Sequence, residues 1–466
     1  MIRNLVSLLV LMLVIAPCDG FAQDIFWKVD FGTGFTVDGQ IYAVEVTPQV
    51  IYIGGSFTHV AGIAANHIAK FENGVWDSLG GGVDGDVHAL KSFSVANQTL
   101  LYVGGNFHHA DTVVSPGFAL WNSNKWYALG EGLEPFGFGV YSIVVDASGN
   151  PYAAGGFTIV RANHDTLNNI AHWDGGAWKP LAGGVANSRG ALPVFSILLS
   201  KDTLYVGGFF DFVDHHMPAK GVARWFNGAW SPVGNIDSGD VHVTSLALHR
   251  GELYAAGEFT SIGKDTARGI ARWDGTRWHS LGDDPGYWIG SLASSGNLLY
   301  ASRFDVGSTG TRFNNIAFFT GGIWRGLESG IHGGIMSIAP YGFNGVIAAG
   351  YFDSAGRKPA HGLATWESPE AVKSYPSLVT SSITIYPSPF QEQGFVECMI
   401  DQPGELALTI SDLLGRTVSI TNFSHLASGT QKLPLHLASG IKTGTYFLRL
   451  SGPKQNGMMK PFIVVK

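Results

Sequence analysis

A repeat of about fifty residues runs through most of this 466-residue chain and limits what it can fold into. Seven segments end a strand-like run in a Gly-Gly pair, or a remnant of that pair, before Phe. They are Tyr52–Phe57, Tyr102–Phe107, Tyr152–Phe157, Tyr205–Phe210, Tyr254–Phe259, Tyr300–Phe304 and Ile347–Phe352. We therefore expect a repeat architecture in which one structural unit recurs seven times.

A second marker is an aromatic residue followed five residues later by Trp. The six pairs are Phe71/Trp76, Trp121/Trp126, Trp173/Trp178, Trp225/Trp230, Trp273/Trp278 and Phe319/Trp324. The residues between them, such as Asn73-Gly74, suit two-residue hairpin turns whose central positions need positive φ. Such a turn places the two aromatic residues directly opposite each other on neighbouring strands. Each pair is therefore predicted to form a buried aromatic contact.

Alternation of apolar and polar residues predicts four strands in each repeat. In the second repeat they are Val87 to Leu90, Leu101 to Phe107, Phe118 to Trp121 and Trp126 to Leu129. Four strands repeated seven times predict an all-β fold with a seven-bladed β-propeller over residues 23–366. A linear solenoid is the competing interpretation, but radial blades leave fewer exposed strand edges.

The two ends of the repeat region complement each other. The seventh repeat has its aromatic residue, Trp366, but no second Trp follows it. Near the N-terminus, Trp27 precedes Asp38-Gly39-Gln40-Ile41, which echoes the Asp84-Gly85-Asp86-Val87 that follows Trp76. The sequence therefore predicts that the N-terminal segment supplies the outer strand of the last blade and closes the ring.

Residues 1–22 have the pattern of a secretory signal peptide. Arg3 gives a positive start, Leu5 to Ile15 form an apolar run too short for a membrane span, and Gly20-Phe21-Ala22 supply small residues for cleavage. We expect the mature chain to begin at Gln23 and to contain no transmembrane segment.

The cysteine content and the net charge narrow further the class of protein to which this chain can belong. Lipidation at Cys18 is an alternative to cleavage, but Pro17 stands where a small residue is usual. Signal removal leaves Cys398 alone, so no intramolecular disulfide can form. The formal net charge of −7 argues against a nucleic-acid partner, because such proteins usually carry a basic surface.

The Tyr-x-Gly-Gly strand with its downstream Trp resembles propellers of the kelch and galactose-oxidase type. The run from Ile68-Ala69-Lys70-Phe71 through Leu79-Gly80-Gly81-Gly82-Val83 is also similar to repeats of cortical-marker proteins and of secreted Bacteroidetes proteins. The resemblance covers roughly residues 24 to 366 and implies the architecture. Galactose oxidase needs a copper site of Tyr and His residues, and no matching local motif occurs here. We therefore assign no catalytic residue, no metal and no cofactor.

Residues 367–381, rich in Ser and Pro, are interpreted as a linker, and the pattern changes over residues 382–466. There, the motifs resemble the type A sorting domain of type IX secretion. They are Tyr386-Pro-Ser-Pro-Phe390, Leu406 to Arg416, Gly444 to Leu450 and Lys460 to Lys466, with Ser388 where Asn is commoner. The resemblance implies the type IX machinery as partner, a route through the periplasm, and delivery to the outer surface or the medium.

The alternation of Leu406, Leu408 and Ile410 predicts that this C-terminal segment is a small Ig-like β-sandwich. Its side chains then serve as an export signal rather than as a chemical site.

Two adjacent histidine pairs follow second strands, His108-His109 and His215-His216. Neighbouring side chains of an extended chain point in opposite directions, so such a pair is poorly placed to hold one metal ion. We interpret all four as solvated loop residues rather than as metal ligands.

Loops from the second to the third strand, and from the fourth strand to the next blade, emerge on one face of a propeller. Phe136, Phe138, Tyr287 and Trp288 are predicted to lie on this face with the four histidines. Exposed loop aromatics suit glycan or protein contact, and filling of the central channel by the same side chains is the alternative. We expect a binding or adhesion module. A secreted carbohydrate-active enzyme with its site on the same face, and a purely structural surface role, are the alternatives.

Overall fold

The structure is a computed structural model. It describes residues 24, 26–32, 34–95, 98–133, 139–160, 166–188, 194–234, 236, 241–262, 265–282, 286, 288–304, 313–342, 344–367, 384–386, 393–400, 404–412, 417–426, 429–436, 441, 443–451 and 459–464. The chain divides into two compact units, Met1–Ser368 and Pro369–Lys466. Within these ranges every element of secondary structure is a β-strand, which confirms the predicted all-β class.

Seven antiparallel sheets, each with four main strands, make up most of the described part of the first unit. We number them in chain order and name each sheet's strands inner, second, third and outer. Sheet 1 is Ile41–Val46, Val50–Gly55, Ile68–Glu72 and Val75–Ser78; sheet 2 is Asp86–Val95, Gln98–Asn106, Phe118–Asn122 and Lys125–Ala128. Sheet 3 is Gly139–Val145, Pro151–Val160, Thr166–Trp173 and Trp178–Pro180; sheet 4 is Val194–Ser200, Thr203–Gly208, Val222–Phe226 and Ala229–Pro232. Sheet 5 is His242–His249, Glu252–Glu258, Ile270–Trp273 and Trp278–Ser280; sheet 6 is Ile289–Ser295, Leu298–Arg303, Ile316–Thr320 and Ile323–Gly326; sheet 7 is Ile331–Tyr341, Gly345–Ala355, Leu363–Glu367 and Trp27–Lys28.

Short strands follow the second strands and form small hairpins. These are His59–Val60 with Ile63–Ala64, His109–Ala110 with Val113–Val114, Phe212–Val213 with Met217–Pro218, and Ser261–Ile262 with Asp265–Thr266. Val185–Ala186 adds to the third of them, and Lys358–Pro359 pairs with the end of the second strand of sheet 7.

The seven inner strands contact one another in chain order, and the inner strand of sheet 7 contacts that of sheet 1. The first unit is therefore a closed ring of sheets. Buried apolar side chains fill the space between neighbouring sheets, with Phe57, Phe107, Phe157, Phe210 and Phe259 among the largest fully buried ones. These are the Phe residues that close the repeated Gly-Gly segments.

All six aromatic pairs predicted from the sequence lie opposite each other between a third and an outer strand. The turn in sheet 1 has φ of 52° at Asn73 and 82° at Gly74, the positive values that a two-residue hairpin needs. The Trp on the outer strand is buried in every pair, whereas most of its partners on the third strand are only half-buried. The predicted register is confirmed.

Indole N–H groups link six of the seven sheets to the preceding sheet, which the sequence pattern alone did not indicate. In six sheets the outer-strand Trp donates to a carbonyl that follows the preceding outer strand. The bonds are Trp76 to Phe31 (2.8 Å), Trp126 to Leu79 (2.8 Å), Trp178 to Leu129 (3.0 Å), Trp230 to Leu181 (2.7 Å), Trp278 to Val233 (2.7 Å) and Trp27 to Leu327 (3.1 Å). Each tryptophan therefore stabilises an intersheet junction as well as its own sheet.

The Gly-Gly pair is needed because two neighbours come too close for a side chain. A β carbon on Gly104 would lie 2.6 Å from Val140 Cγ1 of the next sheet. One on Gly105 would overlap with the Asp86 carbonyl oxygen of its own sheet. The first glycine thus permits close packing of neighbouring sheets, and the second permits the inner strand to lie close to the second strand of the same sheet.

The N-terminal strand completes sheet 7, as the spacing of the aromatic residues predicts. Trp27 pairs with Trp366, and Lys28 pairs with Thr365. Asp24 is buried and accepts hydrogen bonds from the Ser329 amide (3.0 Å) and hydroxyl (2.9 Å). The two ends of the repeat region therefore belong to one sheet.

One histidine is buried in the ring at the end of an inner strand. His249 is 3% exposed, and its Nδ1 lies 3.0 Å from Ser294 Oγ of the next sheet. Burial lowers the pKa of His249 from its ordinary 6.5 to about 4. The neutral ring is therefore the form that fits the folded protein.

Acid is expected to destabilise the protein partly through His249. Because its folded pKa is depressed, its contribution to stability is complete above pH 6.5 and is lost as the pH falls towards 4. At about 1.4 kcal/mol per pKa unit, the loss is up to about 3 kcal/mol. Urea unfolding at pH 7 and pH 4.5 should show a smaller acid loss in His249→Gln than in the wild type. His216→Gln, at an exposed position, is the control, and equal acid losses in all three proteins would contradict the assignment.

The second unit contains two antiparallel sheets in its described residues. One has the strand order Thr384–Tyr386, Gln393–Ile400 and Gly429–His436; the other has Thr417–Leu426, Gly404–Asp412, Gly444–Ser451 and Met459–Val464. Leu406, Leu408 and Ile410 are buried, as predicted, and pack in one apolar core with residues of both sheets, such as Val396. Burial raises the pKa of the lone Cys398 thiol.

Candidate functional site

One face of the ring carries the features that could bind a ligand. At this face the inner strands begin, the second strands end, and the short hairpins project. We call it the loop face. It is the face on which the sequence analysis placed its candidate residues.

His109 holds a short hairpin in place. The Asp84 carboxylate accepts hydrogen bonds from the His108 amide (2.7 Å) and the His109 amide (2.8 Å), and its Oδ2 lies 2.7 Å from His109 Nδ1. Burial raises the pKa of the Asp84 carboxyl, but these hydrogen bonds outweigh burial and hold the pKa below its ordinary value. Asp38 makes the same contacts with Thr58 and His59 in sheet 1. The side chain of His109 is therefore structural, and that of His108 is exposed.

His215 and His216 lie in a turn rather than in a strand. His215 has a φ of 66°, and the two rings are 6.4 Å apart. The expected alternation of neighbouring side chains therefore does not apply to them. Both side chains are exposed, and that of His215 also packs against Gly183, where a β carbon would lie 2.7 Å from its ring.

The remaining candidates are aromatic. Phe136, Phe138 and Tyr287 lie outside the described residues. Trp288 is described and is 51% exposed directly before the inner strand of sheet 6. The described candidates are thus spread over sheets 2, 4 and 6 and do not form one cluster.

A ring of bulged residues, missed in the sequence analysis, lies on the inner strands. In every sheet the pairing of inner and second strands skips one residue of the inner strand near its start. We call these seven residues the bulge ring: Tyr42, His88, Tyr141, Phe195, Thr244, Gly290 and Met336. Aligning the repeats would have found them, because each is the variable residue between Ile or Val and Ala or Ser.

Four consecutive members of the bulge ring are in aromatic contact across sheets 1 to 4: the rings of Tyr42, His88 and Tyr141 form a stack, and Phe195 meets Tyr141 edge-to-face. Ring centroids are 5.2 Å apart for Tyr42 and His88, 4.9 Å for His88 and Tyr141, and 5.8 Å for Tyr141 and Phe195. Burial lowers the pKa of His88 and raises that of Tyr141. The stack therefore contains a neutral imidazole at pH 7.

Serine hydroxyls fix neighbouring inner strands directly after the bulges. Each accepts a hydrogen bond from an amide of the next sheet: Ser142 from Ile197 (3.0 Å), Ser196 from Leu246 (3.0 Å), Ser245 from Leu292 (3.0 Å) and Ser291 from Ile338 (3.3 Å). The bulge ring is therefore held on a rigid support.

The other half of the bulge ring has smaller or flexible side chains. The Thr244 hydroxyl donates a hydrogen bond to the Ile289 carbonyl (2.6 Å). Gly290 and Met336 are the other two members of this half. Further aromatic residues lie at or near the ends of the second strands of sheets 4, 6 and 7. Phe209 packs on His242 (4.0 Å between centroids), and Phe304 meets Tyr351 edge-to-face (6.4 Å).

The described residues contain no group of three His, Cys, Asp or Glu side chains that could hold a metal ion. In the same residues we find no helix of the length and hydrophobicity needed to cross a membrane.

Solved structures with some similarity share little sequence with this chain. The acylaminoacyl peptidase of Pyrococcus horikoshii matches with 13% identity and a TM-score of 0.38 over 81% of this chain and 60% of that one. The β-propeller domain of the trilobed protease of Pyrococcus furiosus, described as having an open velcro topology, matches with 13% identity and a TM-score of 0.36 over 71% of this chain and 93% of that one. Dimeric latent PorU of Porphyromonas gingivalis matches with 11% identity and a TM-score of 0.17 over 93% of this chain and 34% of that one. The chain thus spans less than two thirds of the peptidase's length.

No curated protein matches the chain. The family described as "Secretion system C-terminal sorting domain" matches residues 384–465. These residues include the buried Leu406, Leu408 and Ile410 core of the second unit. The C-terminal unit is therefore a secretion-system sorting domain, and it indicates export of this propeller-like protein by type IX secretion to the cell surface or beyond.

Proposed function

We propose that this protein is a secreted or cell-surface binding module that holds a glycan or protein ligand on its loop face. The observation that carries the proposal is the exposure of large aromatic side chains there: Trp288 is 51% exposed and Phe304 is 40% exposed. Exposed aromatic residues on loops of a rigid scaffold are typical of binding surfaces. The closed ring of sheets supplies the rigid scaffold.

The proposal includes a finer architecture. We propose that the seven sheets are the blades of a seven-bladed propeller of the kelch type over residues 23–366, and that the sorting domain, residues 382–466, is an Ig-like sandwich after a linker at 367–381. The four-stranded sheets and the Trp27–Trp366 pairing support the first part. The two sheets around one apolar core support the second.

The proposed route begins with a signal peptide at residues 1–22. Its removal releases the chain into the periplasm, from which the type IX machinery carries it outwards. The kelch resemblance and the sorting domain together suit a Bacteroidetes protein. The charge pattern and the short apolar run described above support this route.

Masking the loop face is expected to abolish ligand binding. A large polyethylene glycol chain attached at His216→Cys would cover this face, whereas the same chain at Val75→Cys, on the outer strand of sheet 1, would not. The native Cys398 is buried with a raised thiol pKa, so it competes poorly for the reagent.

The measurement is binding of the purified chain, residues 23–466, to an array that carries both glycans and surface proteins. Binding that survives modification at position 75 but not at position 216 supports the proposal. An array without any binding partner, or equal loss at both positions, contradicts it.

A further inference from the structure

Three aromatic residues at the loop-face ends of sheets 6 and 7 are joined by hydrogen bonds, and we call them the aromatic rim: Trp288, Phe304 and Tyr351. The Phe304 amide donates to the Trp288 carbonyl (3.3 Å), and the Tyr351 hydroxyl donates to the Phe304 carbonyl (3.0 Å). The Tyr351 ring lies across Gly334, where a β carbon would overlap with it. The rim is therefore fixed by hydrogen bonds and by a glycine beneath one ring.

Trp288 adopts a backbone conformation that packing does not explain. Its φ is 62°, a left-handed value that bulky residues rarely adopt, and its side chain is 51% exposed. A residue in such a conformation costs about 1–3 kcal/mol, and here only about half of the indole is buried to offset that cost. An aromatic ring presented to solvent at such a cost points to a ligand contact.

Gly290 leaves a recess beside the rim. The other six members of the bulge ring carry side chains, and the φ of Gly290 is not positive, so the backbone does not require glycine there. A β carbon at this position would lie 3.5 Å from Phe304 Cβ, which is ordinary contact. The nearest other atom would be the Ile335 carbonyl oxygen at 3.4 Å, so the position tolerates a side chain but carries none. The space that such a side chain would occupy beside Phe304 is the Gly290 recess.

We propose that the aromatic rim and the Gly290 recess form a subsite for the pyranose rings of a polysaccharide, which deepens the binding function proposed above and rests on it. The negative face of an aromatic ring attracts the C–H groups on the flat side of a sugar. His242 and Glu258, 3.8 Å apart at the end of neighbouring sheet 5, supply polar groups that suit sugar hydroxyls.

The small extent of the rim favours a sugar chain over a protein. A stable protein interface needs about 800 Å² and 20–30 residues on each side. Most other exposed large apolar residues belong to other sheets: Val114 and Met217 lie in the short hairpins of sheets 2 and 4, and Tyr127 and Phe226 lie on an outer and a third strand. Three rings beside a recess instead match a few sugar units.

The test measures binding of the purified chain to soluble β-glucan, α-glucan, xylan, galactomannan and pectin by affinity electrophoresis and calorimetry. Trp288→Ala and Phe304→Ala are expected to weaken binding about tenfold or more, as loss of a central aromatic contact does. Gly290→Tyr, which introduces the residue found at this position in sheets 1 and 3, should abolish binding by filling the recess. Tyr127→Ala and Phe226→Ala remove equally exposed aromatic rings outside the rim and should leave the affinity unchanged.

Trp288→Gly separates a ligand contact from a structural role. Glycine tolerates a φ of 62°, so this variant should melt at or above the wild-type temperature and still lose binding. A polysaccharide that binds Trp288→Gly and Gly290→Tyr as tightly as wild type would overturn the rim proposal while leaving a loop-face binding function standing. If none of the five polysaccharides binds, but a protein on the array binds in a way that masking at position 216 blocks, the sugar assignment fails and the proposed function survives. If nothing binds in either experiment, both proposals fail.

Discussion

Replacing Trp27 with alanine is expected to lower the free energy of unfolding by about 3–5 kcal/mol, the usual cost of truncating a large buried aromatic. Trp27 is fully buried opposite Trp366, and its indole N–H donates to the Leu327 carbonyl of sheet 6 at 3.1 Å. The substitution therefore weakens one sheet and one intersheet junction together. Equilibrium unfolding in urea measures the change.

Phe226→Ala is the matched control, because its ring is 45% exposed and its loss should cost less than about 0.5 kcal/mol. Deleting residues 24–35 should lower the free energy of unfolding by more than Trp27→Ala does. The deletion leaves the third strand of sheet 7, Leu363–Glu367, as an unpaired edge, and such edges promote aggregation. A deletion variant that stays monomeric and keeps the wild-type melting temperature would refute ring closure by the N-terminal strand.

Removing Ser381 to Lys466 is expected to abolish export, with the ring of sheets retained in the periplasm. The reason is that the sorting domain, not the ring, carries the signal that the secretion machinery recognises. Cell fractionation and protease accessibility of intact cells measure the location. Fusing residues 369–466 to an unrelated secreted passenger should bring that passenger to the outside.

A single substitution can test whether the folded sorting domain is needed. Leu448 is fully buried, so Leu448→Asp would place an unpaired carboxylate in the core and should block export as the deletion does. Ile420 is 60% exposed, and Ile420→Ser, the matched control, should leave export intact. Truncated protein on the cell surface or in the medium would show that the export signal lies elsewhere.

Much of the fold could be predicted because local rules fix it. A two-residue turn between Phe71 and Trp76, combined with side chains that alternate along strands, allows only one register, and the structure has that register. The same rules predict that Trp27 pairs with Trp366 although they lie at opposite ends of the repeat region, and the structure has this pairing. The sorting domain was recognisable from motifs, which the family match over residues 384–465 confirms.

The candidate site was only partly predictable. Trp288 and the loop face were expected from the sequence and belong to the proposed site, which stays a prediction; His109 and His215, also selected, contact Asp84 and Gly183 in other loops. Phe304 and Tyr351 were not selected, because at the ends of second strands they look like ordinary strand residues.

The sequence by itself determined the repeat, the strand register and the export signal, since each depends on residues close together in the chain. Only the tertiary structure decided which side chains meet around the ring. A bulge inserts one extra residue into a strand and breaks the alternation from which the side of the sheet that a side chain occupies is predicted. Alternation therefore did not place Tyr42, His88 and Tyr141 in a common stack. Likewise, Trp288 and Tyr351 belong to different sheets, and they reach the same rim because the closed ring sets sheets 6 and 7 side by side.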